Sequence, residues 1–201
     1  MTGILGGTFD PVHRGHLSAA TQLISRAGLD EVCLMPNAQP PHRAGPPLAP
    51  AADRLRMVQL AVAELEGVSA SSLEVERGGV SYTIDTVRQL RRNEPLRAFT
   101  LLLGSDAALQ IRTWHEWEAL LDEASFTIFS RPNVRLEAGE LERLGFPPER
   151  TQLVALRTPP ISARMVRERL AQGQPVDDFL VPAVATYIRE RGLYLPANRM
   201  G

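Results

Sequence analysis

Residues 3 to 17 read Gly-Ile-Leu-Gly-Gly-Thr-Phe-Asp-Pro-Val-His-Arg-Gly-His-Leu. A short apolar run breaks at Gly6-Gly7, turns through Asp10-Pro11 and then presents His13 and His16. Three residues apart, the two imidazoles fall on one side of a helix that begins near Gly15. A helix N-terminus carries N–H groups without intrahelical partners and a partial positive charge. Paired glycines let backbone approach a ligand closely. The stretch therefore predicts a strand, a glycine turn and a helix start at which backbone donors and two imidazoles converge on a phosphate.

Outward from that stretch, strand and helix alternate. Leu17, Ala20, Ile24 and Ala27 recur at helical spacing, and Gly28 stops the helix. Residues 31 to 35 read as a second strand, followed by a Pro-rich loop over 36 to 50 that contains Gln39-Pro40-Pro41-His42-Arg43. Asp53 is the expected N-cap of a helix whose apolar face is Leu55, Val58, Val62 and Leu65. Further strands are expected at 68–75, 98–103, 126–129 and 153–156. Helices are expected at 81–92, 107–111, 114–121, 162–170 and 182–191, with one more inside 133–150. Short, continuously apolar strands alternating with helices imply an α/β fold, a doubly wound parallel sheet with helices on both faces. Residues 1–201 read as one domain, with 160–201 as its C-terminal helical part. Ligands in such sheets bind at the carboxyl ends of strands. The stretches Gly6-Gly7, Pro36 to Arg43, Gly104 to Asp106 and Pro159 to Arg167 all follow strands and can meet along one edge.

The chain's 44% hydrophobic content is enough for a real core, and its net charge of −1 gives a nucleic-acid partner no electrostatic support. All 22 basic residues are Arg, so any fixed phosphate contact from a long cationic side chain must come from a guanidinium fork. The lone Cys33 excludes an internal disulfide and fits a reducing compartment. With no signal-peptide pattern and no apolar run long enough to span a bilayer, the expectation is a cytoplasmic protein without a membrane partner. A homo-oligomer is compatible with the composition but not required by it. No carboxylate stands beside His13 and His16 at ligand spacing, so a protein-held metal is not expected.

The run Gly6-Gly7-Thr8-Phe9-Asp10-Pro11-Val12-His13-Arg14-Gly15-His16 resembles the GGTFDPxHxGH signature of the nucleotidyltransferase superfamily. Ile161-Ser162-Ala163-Arg164-Met165-Val166-Arg167 resembles its second motif, ISSTxxR or ISATxxR, with Arg164 where the family has Thr. Gly104-Ser105-Asp106 resembles the GxD segment that contacts nucleotide. Glu76 to Thr86 with its Ser-Tyr-Thr-Ile-Asp-Thr core, the element Trp114-His115-Glu116-Trp117 and the ending Leu180 to Tyr194 are similar to bacterial nicotinate-nucleotide adenylyltransferases.

That resemblance implies a Rossmann-like fold and adenylyl transfer from ATP to nicotinate mononucleotide. It implies His13 and His16 as the catalytic pair. It implies nucleotide contacts at Gly7, Thr8, Phe9, Gly104, Asp106, Ser162 and Arg167, and acceptor contacts at Arg43, Tyr82, Thr83 and Trp114. Mg2+ is expected on the triphosphate, held by phosphate and water. The residues agree with a nicotinate acceptor: a flat ring wants an aromatic platform, for which Trp114 is the candidate. Its carboxylate wants donors, which the backbone at Tyr82-Thr83 offers. Two competing readings are the same chemistry on the amide mononucleotide or another phosphate acceptor, and a non-catalytic nucleotide-binding sensor that kept the fold. If the paired histidines carry the chemistry, His16→Ala lowers turnover by about a hundredfold or more with the fold intact, as circular dichroism and steady-state rates measure together.

Overall fold

The apolar runs become six parallel strands, β1 Thr2–Gly7, β2 Glu31–Pro36, β3 Val68–Ala70, β4 Phe99–Gly104, β5 Phe126–Ser130 and β6 Thr151–Ala155, in the order β3-β2-β1-β4-β5-β6. The computed structural model describes residues 1–41, 45–130 and 136–195. Alternate residues of one strand serve opposite faces. Leu5, Leu34 and Leu102 enter one apolar core, whereas Ile4, Met35, Leu101 and Leu103 enter the other. The first core is roofed by α1 Arg14–Ala27, α2 Ala51–Val62, α8 Ala163–Ala171 and α9 Pro182–Glu190. The second is roofed by α4 Thr83–Asn93, α5 Ser105–Leu109, α6 Trp117–Glu123 and α7 Ala138–Leu144. The expected doubly wound α/β sheet is the fold observed.

The strand order reverses between β1 and β4, and that reversal makes the site. The two strands pair only through Thr2↔Phe99, Gly3↔Thr100 and Ile4↔Leu101. Beyond Ile4 the carboxyl ends of both strands line an open cleft. A crevice at such a switch point is where doubly wound sheets take ligands.

Three local expectations fail for physical reasons. The strand expected at 68–75 ends at Ala70, and α3 Leu73–Arg77 follows. Ser71 donates its N–H to the Leu34 carbonyl at 3.0 Å, and its hydroxyl then accepts from the Leu73 N–H at 3.2 Å. A short polar side chain thus redirects an edge strand into a helix. The helix expected at 114–121 starts only at Trp117, because Glu116 adopts a left-handed backbone with φ 46° and Trp114 is extended. Asp53 is not an N-cap. Pro50 holds that position, and the buried Asp53 carboxylate instead accepts from the Tyr187 hydroxyl at 2.7 Å and Arg191 Nε at 3.2 Å, clamping α2 to α9.

The largest fully buried side chain is a charged one, Arg54 of α2. Its Nη1 donates to the Thr8 carbonyl at 2.6 Å and to Asn37 Oδ1 at 3.2 Å. Its Nη2 donates to the Ala38 carbonyl at 2.9 Å and its Nε to the Ala49 carbonyl at 3.2 Å. One guanidinium therefore ties the glycine turn to both ends of the 36–50 loop. Arg54→Met strands those acceptors away from water, which costs about 3 kcal/mol. Calorimetry is expected to read this as a fall in Tm of about 6–12 °C, and a fall under about 2 °C would show that the fork is dispensable.

Candidate active site

The cleft between β1 and β4 has a volume of about 520 Å3. At one end lies the histidine pair. His13 is the N-cap of α1, buried at 4% exposure, and His16 is half-buried and faces the cleft. Their rings stack with centroids 3.7 Å apart and planes 23° from parallel, and the Phe9 ring meets His16 edge-on at 5.0 Å. The His13 N–H donates to His16 Nδ1 at 3.2 Å. An imidazole nitrogen that accepts carries no proton, so the proton of neutral His16 is on Nε2, a donor. Gly15 permits the stack: a Cβ there would lie 3.0 Å from His13 Nδ1.

The expectation of bare backbone donors at the start of α1 is met only in part. The Arg14 N–H goes to the Phe179 carbonyl at 2.8 Å. The His16 and Leu17 N–H groups both go to the His13 carbonyl, at 2.9 and 3.3 Å. The imidazole of His16, more than the helix terminus, is what this stretch turns toward the cleft. Gly7 and Thr8 also line the cleft. Phe9 does not: it is 3% exposed, and its ring serves as a wall for His16.

The second motif meets the first from the side. Ser162 caps α8, accepting from the Met165 N–H at 3.2 Å. Arg167 Nη1 donates to the Asp10 carbonyl at 2.7 Å. The Ile161 carbonyl lies 3.6 Å from where a Cβ on Gly15 would sit, so α8 begins beside the start of α1. Arg164 turns away, its side chain 82% exposed and ion-paired with Glu168 at 2.8 Å. Asp10 is 2% exposed and among the described residues accepts from the Leu48 and Ala49 N–H groups, each at 3.0 Å, and from the Tyr194 hydroxyl at 2.8 Å. Burial and the Asp10 charge push the Tyr194 phenol well above its usual range.

The cleft is lined further by Tyr82, Thr83, Gly104, Asp106 and Trp114. Tyr82 is the N-cap of α4 and Thr83 its first residue, so the first turn of that helix opens at the cleft. The extended backbone at Trp114 presents a half-buried indole there, whereas Trp117 packs outside under the Arg112 guanidinium at 5.7 Å. Glu74 of α3 forms part of the wall, 7% exposed, accepting from the Thr86 hydroxyl at 2.6 Å. Arg77 Nη2 in turn donates to that hydroxyl at 2.9 Å. Burial raises the Glu74 carboxyl pKa, with the Thr86 bond opposing it. Arg43 lies outside the described residues. Among the described residues, no cluster of three or more His, Cys, Asp or Glu is arranged to hold a metal.

Sequence reasoning missed Glu74, Arg54 and the three-way role of Asp10. Glu74 carried a weak signal, a carboxylate between the apolar Leu73 and Val75 and three residues before Arg77, and Arg54 carried none. Gly6 has a role beyond bending the chain. A Cβ there meets nothing within 4 Å, and the residue lines the cleft. Val suits a strand, so Gly6→Val is expected to keep the melting temperature while filling ligand space. Titration calorimetry should show nucleotide binding weakened by roughly tenfold or more, and unchanged affinity would remove Gly6 from the ligand's path.

Three comparisons place this geometry among known proteins. Residues 4–169 match the model of the cytidylyltransferase-like family. A protein of Symbiobacterium thermophilum is 39% identical, with 98% of this chain and 97% of the relative aligned. One of Bordetella avium is 39% identical over 97% of this chain and 98% of its own. Both are described as probable nicotinate-nucleotide adenylyltransferases. The Plasmodium falciparum nicotinic acid mononucleotide adenylyltransferase, solved in complex with NaAD, superposes with a TM-score of 0.79 over 96% of both chains at 21% identity, a likeness of fold. With two near-full-length relatives at that identity and a family model spanning most of the sheet, the chain belongs to the nicotinate-nucleotide adenylyltransferases of the cytidylyltransferase-like family.

Proposed function

We propose that the chain transfers the adenylyl group of ATP to nicotinate mononucleotide, releasing pyrophosphate and forming nicotinate adenine dinucleotide, a step of NAD biosynthesis. The observation that carries the reading is the stacked His13–His16 pair at the switch point, with His16 lining the cleft and its Nδ1 accepting from the His13 N–H. A 5′-phosphate oxygen of the mononucleotide attacks the α-phosphorus of ATP. The new P–O bond forms as the bond from the α-phosphorus to the bridging oxygen breaks, and pyrophosphate leaves with that electron pair. Such displacements need positioning and charge stabilisation, not a protein nucleophile.

His16 donates from Nε2 to an oxygen that gains charge, and His13 holds its ring plane by stacking. Gly7 and Thr8 border the phosphates, and Phe9 backs them as a wall for His16. Ser162 and Arg167 receive the outer phosphates. A guanidinium has five N–H donors, so the bond from Arg167 to Asp10 leaves others for phosphate. Gly104 and Asp106 meet the nucleoside, the acceptor-only carboxylate suiting ribose hydroxyls. At the far end Trp114 stacks the pyridine ring, and the N-terminus of α4 at Tyr82-Thr83 receives its carboxylate. Arg43 is assigned to the acceptor's phosphate from the sequence. ATP enters as its Mg2+ complex, the ion being part of the substrate. One domain carries all of these contacts.

The setting we propose is the cytoplasm, supported by the lone thiol Cys33 and by ATP as substrate. Among the described residues, no helix is long and apolar enough to cross a membrane. Arg164, the departure that would suit a sensor, pairs with Glu168 on the exposed side of α8 and favours no such reading. Pyrophosphate release from Mg·ATP, assayed with the acid and the amide mononucleotide in parallel, tests the proposal. Release with the acid far above the amide is expected, and ATP binding without release from either would leave a sensor.

A further inference from the structure

We infer that Asn37 is a positioning residue for the transfer: oriented by the buried Arg54, it turns the Thr8 hydroxyl into a hydrogen-bond donor for phosphate. The inference rests on the adenylyl-transfer reading and adds to it a residue outside the sequence motifs. Asn37 is the first residue beyond β2, and its N–H extends the β1–β2 pairing to the Gly7 carbonyl at 3.0 Å. Its side chain reaches across to Thr8, with Nδ2 3.4 Å from Oγ1. Both residues are half-buried and line the cleft with Gly7 and His16.

A side-chain amide fits its place either way round, but its two ends act oppositely: the oxygen accepts and the NH2 donates. Arg54 decides which way Asn37 lies. A guanidinium has donors only and keeps its charge at every working pH. Its Nη1 stands 3.2 Å from the Asn37 amide and must therefore meet the oxygen. The reverse orientation would set donor against donor beside a fully buried cation. Arg54 cannot turn aside, because the carbonyls of Thr8, Ala38 and Ala49 hold its other donors. The NH2 is thus the end that faces Thr8.

A hydroxyl carries one proton and two lone pairs. Asn37 occupies a lone pair of Thr8 Oγ1, so the Thr8 proton points elsewhere, and among the described residues no acceptor takes it. Donation then runs one way, from Arg54 to Asn37 to Thr8 and on to whatever fills the cleft. Hydrogen bonds in such a chain polarise one another, so the buried cation strengthens a hydroxyl donor through the amide between them. Beside His16, that hydroxyl serves a phosphate oxygen that gains charge in the displacement. None of the three side chains changes charge near neutrality, so the direction of donation is fixed.

Asn37→Asp inverts the middle link. The carboxylate still accepts from Arg54, but it accepts from Thr8 as well, and the hydroxyl proton turns away from phosphate. Its charge also repels phosphate, and a double-mutant cycle with the isosteric Thr8→Val separates the two effects. The readout is kcat/KM for pyrophosphate release from Mg·ATP with nicotinate mononucleotide. Thr8→Val is expected to lose about tenfold or more, as removal of one charge-stabilising donor does. Asn37→Asp is expected to lose about thirtyfold or more, while its melting temperature stays within about 2 °C of native because the Arg54 bond remains. With no hydroxyl left to turn, the double variant is expected within about threefold of Asn37→Asp alone. Packing losses from Asn37→Asp occur in both backgrounds and cancel in the cycle. Losses that multiply overturn the inference, since Asn37 then acts by direct contact or by charge alone. An unaltered rate in Thr8→Val overturns it too, and either result leaves the reaction standing. Silence of the native chain with the acid mononucleotide removes the reaction and the inference together.

Discussion

A guanidinium enclosed beneath the glycine turn is the constraint on which the site depends. Taking a cation out of water is costly, and it is tolerated only where several acceptors replace the lost hydration. Arg54 finds them in the carbonyls of Thr8, Ala38 and Ala49 and in the Asn37 side chain. Three of those four acceptors are main chain in loops, where no ladder would otherwise satisfy them. The planar fork fixes their directions as well as their distances, which an ammonium on a flexible stem would not do. The glycine turn and the described ends of the 36–50 loop are thereby held by one side chain.

The same economy of long-range bonds appears one layer up. Asp10 binds the 36–50 loop through its carboxylate, the second motif through its carbonyl and the C-terminal segment through Tyr194. Among the described residues, His16 receives its orientation from two neighbours: the Phe9 edge, and His13 through its ring face and its N–H. Catalytic donors work best when little reorganisation remains to be done at the moment of reaction. For the donor role proposed for His16, aromatic packing and one backbone hydrogen bond limit that reorganisation, with Gly15 leaving the room that the stack requires.

Much of this was legible in the sequence, and the boundary is physical. Strands β1, β2, β4 and β5 are short apolar runs buried on both faces, a pattern that survives without knowledge of partners. The two histidines, the glycine turn and the cap at Ser162 are local features, readable from neighbours a few residues apart. What failed depended on residues distant in the chain. Asp53 looked like a cap because its partners, Tyr187 and Arg191, lie beyond any local window. The end of β3 was decided by a bond from Ser71 to Leu34. Trp114 was placed in a helix because the left-handed Glu116, tied to Arg88, leaves no mark in the hydrophobic periodicity. Arg54 read as one more polar position on an amphipathic helix, since nothing local distinguishes a buried guanidinium from a solvated one.

The bonds from Arg167 and Tyr194 to Asp10 span 157 and 184 residues of sequence. The opening motif is therefore finished by residues synthesised long after it. A nascent chain that has reached β6 already holds the whole sheet and the paired histidines, yet it lacks both of these anchors. Both anchors, and the α8 and α9 side chains that roof the first core, become available only after β6 has been made.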